Sequence, residues 1–118
     1  MNRLFEQCKP IDPAAYRRRY PFRSHFLDRN GLGYHYLDEG TGDAVVMVHG
    51  NPTWSFYFRN LIVALAPDYR CIVPDHMGCG LSDKPGYDCY DYRLGSRVAD
   101  FAALMDRLAL TRVTLVVH

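Results

Sequence analysis

Three short runs dominated by apolar side chains punctuate the chain, at Ala44–Val48, Cys71–Val73 and Val113–Val117. Continuous runs of this kind read as strands covered on both faces, the habit of parallel sheets. Between the first two, Phe58, Leu61, Ile62 and Leu65 recur at i, i+3, i+4 and i+7, which predicts a helix from about Ser55 to Ala66, ended by Pro67. Between the second and third, Leu94, Val98, Phe101, Met105 and Leu108 predict a second helix with that apolar face, capped by Asp91.

Ahead of these elements the pattern changes. Ser24 to Asp28 and Tyr34 to Asp38 read as two strands, and the Asn30-Gly31 pair between them predicts a hairpin. Pro10-Ile11-Asp12-Pro13 suits the start of a short helix, with Asp12 as cap and Pro13 in its first turn, ended before Pro21. The order is hairpin, strand, helix, strand, helix, strand. Such alternation predicts an α/β fold with a parallel sheet and helices on its faces. Residues 1–22 read as an N-terminal helical extension and residues 23–118 as the sheet-bearing unit. Ligands of such sheets bind beyond the carboxyl ends of the strands, so the informative residues follow Val48, Val73 and Val117.

Composition narrows the picture only a little. With 118 residues, 48% hydrophobic, the chain is long enough for one domain and too apolar for disorder. A net charge of +1 gives no general pull towards nucleic acid or anionic membranes, and Arg17-Arg18-Arg19 reads as a solvated run before it reads as a docking patch. Cys8, Cys71, Cys79 and Cys89 form no Cys-x-x-Cys pair and fit no zinc spacing. No signal peptide opens the chain and no apolar run approaches the ~20 residues that span a bilayer, so a cytoplasmic protein with reduced thiols is expected.

The candidate chemistry lies in two loops. His49-Gly50-Asn51-Pro52-Thr53-Trp54-Ser55 leaves the first buried strand through a sharp turn and enters a helix. Free N–H groups at a helix start favour negative charge, and the Asn51 amide can donate to the same point. An ordinary strand-to-helix turn, with Asn51 bonding its own backbone, is an equal reading. The second loop, Pro74-Asp75-His76-Met77-Gly78-Cys79-Gly80-Leu81-Ser82-Asp83-Lys84-Pro85, follows the next strand. Gly78 and Gly80 do not complete a dinucleotide fingerprint, because Asp83 stands at the third glycine. Asp75 reads as an acceptor for turn amides and His76 as a loop support. Ser82 fails the Gly-x-Ser-x-Gly elbow at Lys84, Ser55 and Ser96 fall at or within helices, and Cys71 and Cys79 read as packing residues.

Together these segments resemble the haloalkane dehalogenase-like branch of the α/β-hydrolases. The His49–Ser55 run is similar to that branch's oxyanion loop, and Pro74–Pro85 to the loop after its next strand. Tyr36-Leu37-Asp38-Glu39-Gly40 and Thr114-Leu115-Val116-Val117-His118 also fit. Tyr20-Pro21-Phe22-Arg23-Ser24 and His76-Met77-Gly78-Cys79-Gly80 bring the chain closest to the β-lactone (cis-3-alkyl-4-alkyloxetan-2-one) decarboxylases of bacterial olefin biosynthesis.

The resemblance implies the N-terminal half of an α/β-hydrolase fold: the first five strands of a mostly parallel sheet with an antiparallel second strand, stopping before the nucleophile elbow. His118 matches the residue before that elbow, where the branch typically places an Asp followed by Trp and Gly. Asn51 carries over as the donor to a developing oxyanion or leaving anion, and His49, Gly50 and Pro52 as its loop. Asp75, Gly78 and Gly80 carry over as structural. The resemblance implies a hydrophobic small-molecule substrate, no metal or organic cofactor, and room for assembly with other biosynthetic enzymes. Haloalkane dehalogenation is the alternative chemistry. A serine esterase, an epoxide hydrolase or a luciferase-like oxygenase would share the fold, and a non-catalytic truncated product would share the sequence.

Overall fold

The computed structural model describes residues 12–118. Cys8 and the Pro10-Ile11 lead-in to the expected helix lie outside the described residues. The first element, α1 (Pro13–Tyr16), is a single turn, with Asp12 Oδ1 accepting from the Ala14 amide at 3.0 Å. The hairpin follows as β1 (Ser24–Arg29) and β2 (Leu32–Glu39), closed at Asn30-Gly31 where Asp28 Oδ1 accepts from the Gly31 amide at 2.8 Å. Then come β3 (Ala44–Val48), a 3-10 turn (Ser55–Phe58) running into α2 (Arg59–Leu65), β4 (Arg70–Pro74), α3 (Leu94–Arg107) and β5 (Val113–Val117).

The sheet order is β1-β2-β4-β3-β5. β3 is parallel to both β4 and β5, while β2 is antiparallel to both β1 and β4. Four strands therefore share one direction and β2 alone opposes them. Arg70 clamps β4 to β2 through a bidentate bond to Asp38, Nε–Oδ1 2.8 Å and Nη2–Oδ2 2.7 Å.

Strand alternation divides the core into two layers. Leu37, Val45, Met47, Cys71 and Val73 meet Phe58 and Ile62 from the α2 side, with Tyr20 from the N-terminal segment. Tyr34, Val46 and Ile72 face the other way and pack with Met77 and with Leu104 of α3. The helices thus lie on both faces, as the alternating pattern predicts.

Four expectations are corrected. The helix expected from Ser55 begins as a 3-10 turn. Asp91 does not stand at the cap of α3; Arg93 does, without a side-chain cap bond, and Asp91 Oδ1 instead accepts from the Arg93 amide at 3.0 Å and Ser96 Oγ at 2.5 Å. The apolar face expected of α3 holds only in part: Phe101, Met105 and Leu108 pack against the core, but Leu94 is 78% exposed and Val98 also open, while Asp100 and Leu104 are buried. Asp100 tolerates burial because Arg29 Nε donates to Oδ1 at 2.9 Å and Tyr90 Oη to Oδ2 at 2.7 Å. β5 is not covered on both faces either. It is last in the sheet, and Leu115 and Val117, in register with Val46 and Val48, are exposed.

Candidate active site at the carboxyl ends of the strands

β4, β3 and β5 end side by side, and the residues that follow them meet. His49, directly after β3, is buried. Its Nδ1 donates to the Gly50 carbonyl at 2.7 Å, and its Nε2 accepts from the His76 amide at 2.9 Å. His76, from the loop after β4, returns an Nε2–H to the His49 carbonyl at 3.0 Å, with ring centroids 4.3 Å apart. Burial pushes both imidazoles below their ordinary range, His76 to about 4, so both are neutral near pH 7. The pair ties one loop to the other, the supporting role expected of His76.

His118 reaches the same place from β5. Its amide donates to the Val48 carbonyl at 3.2 Å, and its ring stacks on Tyr57 with centroids 4.5 Å apart. The approach to Gly50 is so close that a Cβ there would lie 2.8 Å from the His118 carbonyl oxygen and 2.9 Å from its Nδ1. Only glycine leaves room for this contact. His118 therefore lies against the Gly50-Asn51-Pro52 turn, whose Asn51–Pro52 peptide is cis.

Asn51 and Pro52 are exposed, and the Asn51 amide has no hydrogen-bond partner among the described residues. The amide neither bonds its own backbone nor sits in an enclosed seat. The expected anion site at the helix start is also corrected. That position is taken by a carboxylate of the chain itself: Asp75 Oδ1 accepts from the Ser55 amide at 2.6 Å.

Asp75 has no exposure to solvent. Its Oδ2 accepts from the Leu81 amide at 3.1 Å and lies 2.8 Å from His35 Nδ1. Burial alone would raise the Asp75 pKa, but the His35 bond and the two amides outweigh it and hold the carboxyl below its usual value. The turn-amide role expected of Asp75 is what the geometry displays. Sequence reasoning missed His35. It is buried on β2, and its Nε2 lies 2.9 Å from Ser24 Oγ. Its position two residues before the inward-facing Leu37 was the available signal. Ser82, set aside as a nucleophile, accepts from the His35 amide at 2.8 Å and donates Oγ–H to the Asp75 carbonyl at 2.7 Å.

Among the described residues no group of three or more His, Cys, Asp or Glu could hold a metal ion, and no helix is long and apolar enough to cross a membrane.

A mixed sheet with helices on both faces, and turns gathered at the carboxyl ends of its parallel strands, is an α/β architecture. Residues 43–118 match the α/β hydrolase fold family, and the chain belongs to it. It is 60% identical over 99 residues to a cis-3-alkyl-4-alkyloxetan-2-one decarboxylase of Shewanella oneidensis, covering 83% of this chain and 31% of that protein. It is 42% identical over 102 residues to haloalkane dehalogenase 2 of Mycobacterium tuberculosis, covering 86% and 35%. Among solved structures, a tetrameric haloalkane dehalogenase of Paraglaciecola agarilytica superposes with TM-score 0.75 at 30% identity, covering 82% of this chain and 35% of that one. An epoxide hydrolase of Vigna radiata gives 0.74 at 32%, covering 82% and 30%. The chain spans about a third of the length of the curated relatives it matches.

Proposed function

We propose that this chain forms the oxyanion side of an α/β-hydrolase that works through a covalent Asp ester and decarboxylates a β-lactone carrying two alkyl chains. The observation that supports the reading is the contact of Gly50 with His118, which brings the end of β5 against the turn that carries Asn51. The 60% identity to a protein named for this decarboxylation supports the substrate class.

In this reading an Asp after His118 attacks the alkyl-bearing ring carbon bonded to the ring oxygen, not the carbonyl carbon. The C–O bond breaks, an Asp ester forms, and the freed oxygen becomes a carboxylate. The bond between that carboxylate and the adjacent ring carbon then breaks, its electron pair forms the olefin, carbon dioxide leaves, and the Asp carboxylate is expelled. Asn51, without a hydrogen-bond partner among the described residues, donates to the negative oxygens. His49, Gly50 and Pro52 hold its turn, with His49 neutral and locked by His76.

Haloalkane dehalogenation is the second reading, favoured by the 42% identical dehalogenase. There the Asp displaces halide, which Asn51 receives, and water cleaves the ester.

In this reading the nucleophile is an Asp outside these residues, and the 118-residue chain is expected to turn over neither substrate. The test reads the codons after His118 and assays the encoded polypeptide with a cis-dialkyl β-lactone and with a bromoalkane. Asp-Trp-Gly, olefin release, and a loss of roughly 10²–10³ in kcat for Asn51→Ala are expected. Ser after His118, or turnover by the purified 118-residue chain, overturns the reading. Halide release without olefin formation selects the second.

A further inference from the structure

We propose that Asp75 and His35 are positioning residues for the Asn51 turn, acting as one buried clamp that sets where the Asn51 amide stands relative to the group it serves. This rests on the oxyanion reading of Asn51 and deepens it.

The Asp75 carboxylate joins three parts of the chain that are remote in sequence. Through the Ser55 amide it holds the far end of the turn that begins at His49; through Leu81, the loop after β4; through His35, strand β2. The near end of the turn is held separately, by the bonds between His49 and His76. Asn51 lies between these anchors in sequence and has no hydrogen bond of its own among the described residues, so these anchors fix the turn that carries it. The loop closes tightly on the carboxylate: a Cβ at Gly80 would come within 2.5 Å of it.

The chemistry of the clamp calls for this side chain. Three donors converge on two oxygens, and an Asn would present its own N–H groups to at least one of them. His35 is oriented in turn, with Nδ1 on Asp75 and Nε2 on Ser24 Oγ. On the far side of the turn, Ser55 Oγ and Tyr20 Oη lie 2.5 Å apart, so the N-terminal segment braces the same point. A carboxylate whose two oxygens both accept hydrogen bonds from within the protein is poorly suited to proton transfer and well suited to fixing a backbone.

The test is a double-mutant cycle on the polypeptide as its gene encodes it, or, where the gene stops at His118, on a fusion continued by the remainder of the 60% identical decarboxylase. His35→Leu is expected to lower kcat on the order of 10²-fold with KM little changed, as a displaced turn would. His35→Asn, which restores an N–H near the Nδ1 position, recovers most of that loss. In the Asn51→Ala background, His35→Leu has little further effect, because both changes remove the same contribution. Full multiplication of the two losses, or equal loss in the Asn and Leu variants, overturns the proposal while the Asn51 reading stands. If Asn51→Ala itself leaves kcat unchanged, the reading fails instead. Amide hydrogen exchange at Ser55 then decides the clamp on its own: faster exchange in His35→Leu than in His35→Asn supports it, and equal exchange overturns it.

Discussion

The row of strand ends changes character from β4 to β5. Around β4, Asp75, His35 and Ser82 are fully buried, and each is matched by named donors or acceptors. Around β5, Leu115 and Val117 lie open, as does Asn51 beside them. One side is a finished polar lattice under a packed core. The other is an apolar strand with a single neighbour. Local stability is expected to follow the same division, because opening free energies track buried contacts and satisfied bonds.

The sharpest contrast is between Ile72 and Leu115. Ile72 sits in the middle of β4 with no exposure, and Leu115 on β5 is 53% exposed. Ile72→Ala is expected to destabilise the fold by about 2–5 kcal/mol, measured by urea denaturation followed by far-UV circular dichroism. A smaller loss there would mean that the β4 side is not tightly packed, and the contrast would fail.

Acid should separate the two sides next. His49 and His76 are held neutral in the fold, His76 down to about 4 against an ordinary 6.5. An unfolded chain takes up protons below about 6.5 that the folded chain refuses, so stability is full above that pH and falls as pH drops towards 4. Asp75, held below its ordinary 3.8, adds a second loss only at lower pH still. Thermal melts between pH 7 and 4 should show a falling midpoint, weakened in His76→Gln. A flat profile would mean that the histidine pair does not stay neutral.

The smallest effect is at the open edge. Leu115→Lys, on an exposed face, is expected to change stability by no more than about 0.5 kcal/mol. It should also raise solubility, because an apolar edge strand templates association. Sedimentation of the two forms would show the difference.

The same division explains what could be read from sequence. β3 and β4 were legible because both of their faces are covered, which leaves a continuous apolar run, and the hairpin because Asn30-Gly31 marks its turn. The His49–Pro52 loop was legible as a turn leaving a buried strand. The clamp was not, since His35 and Asp75 are 40 residues apart and only the β2–β4 pairing brings them together. The face of α3 was misread for a related reason. Asp100 counts as polar in any periodicity, yet its partner Arg29, 71 positions away, lets it go inside. Pattern reading finds surfaces that hide because they are apolar, and misses groups that hide because they are paired.

Trp54 is the only tryptophan in the chain, and it sits three residues beyond Asn51. Its indole stacks on Phe56 at 5.4 Å and meets Tyr16 edge-on and Tyr20 at a tilt. The molecule thus carries a built-in optical reporter at the turn proposed to bind charge. Its emission would register any shift of that turn, with no label added.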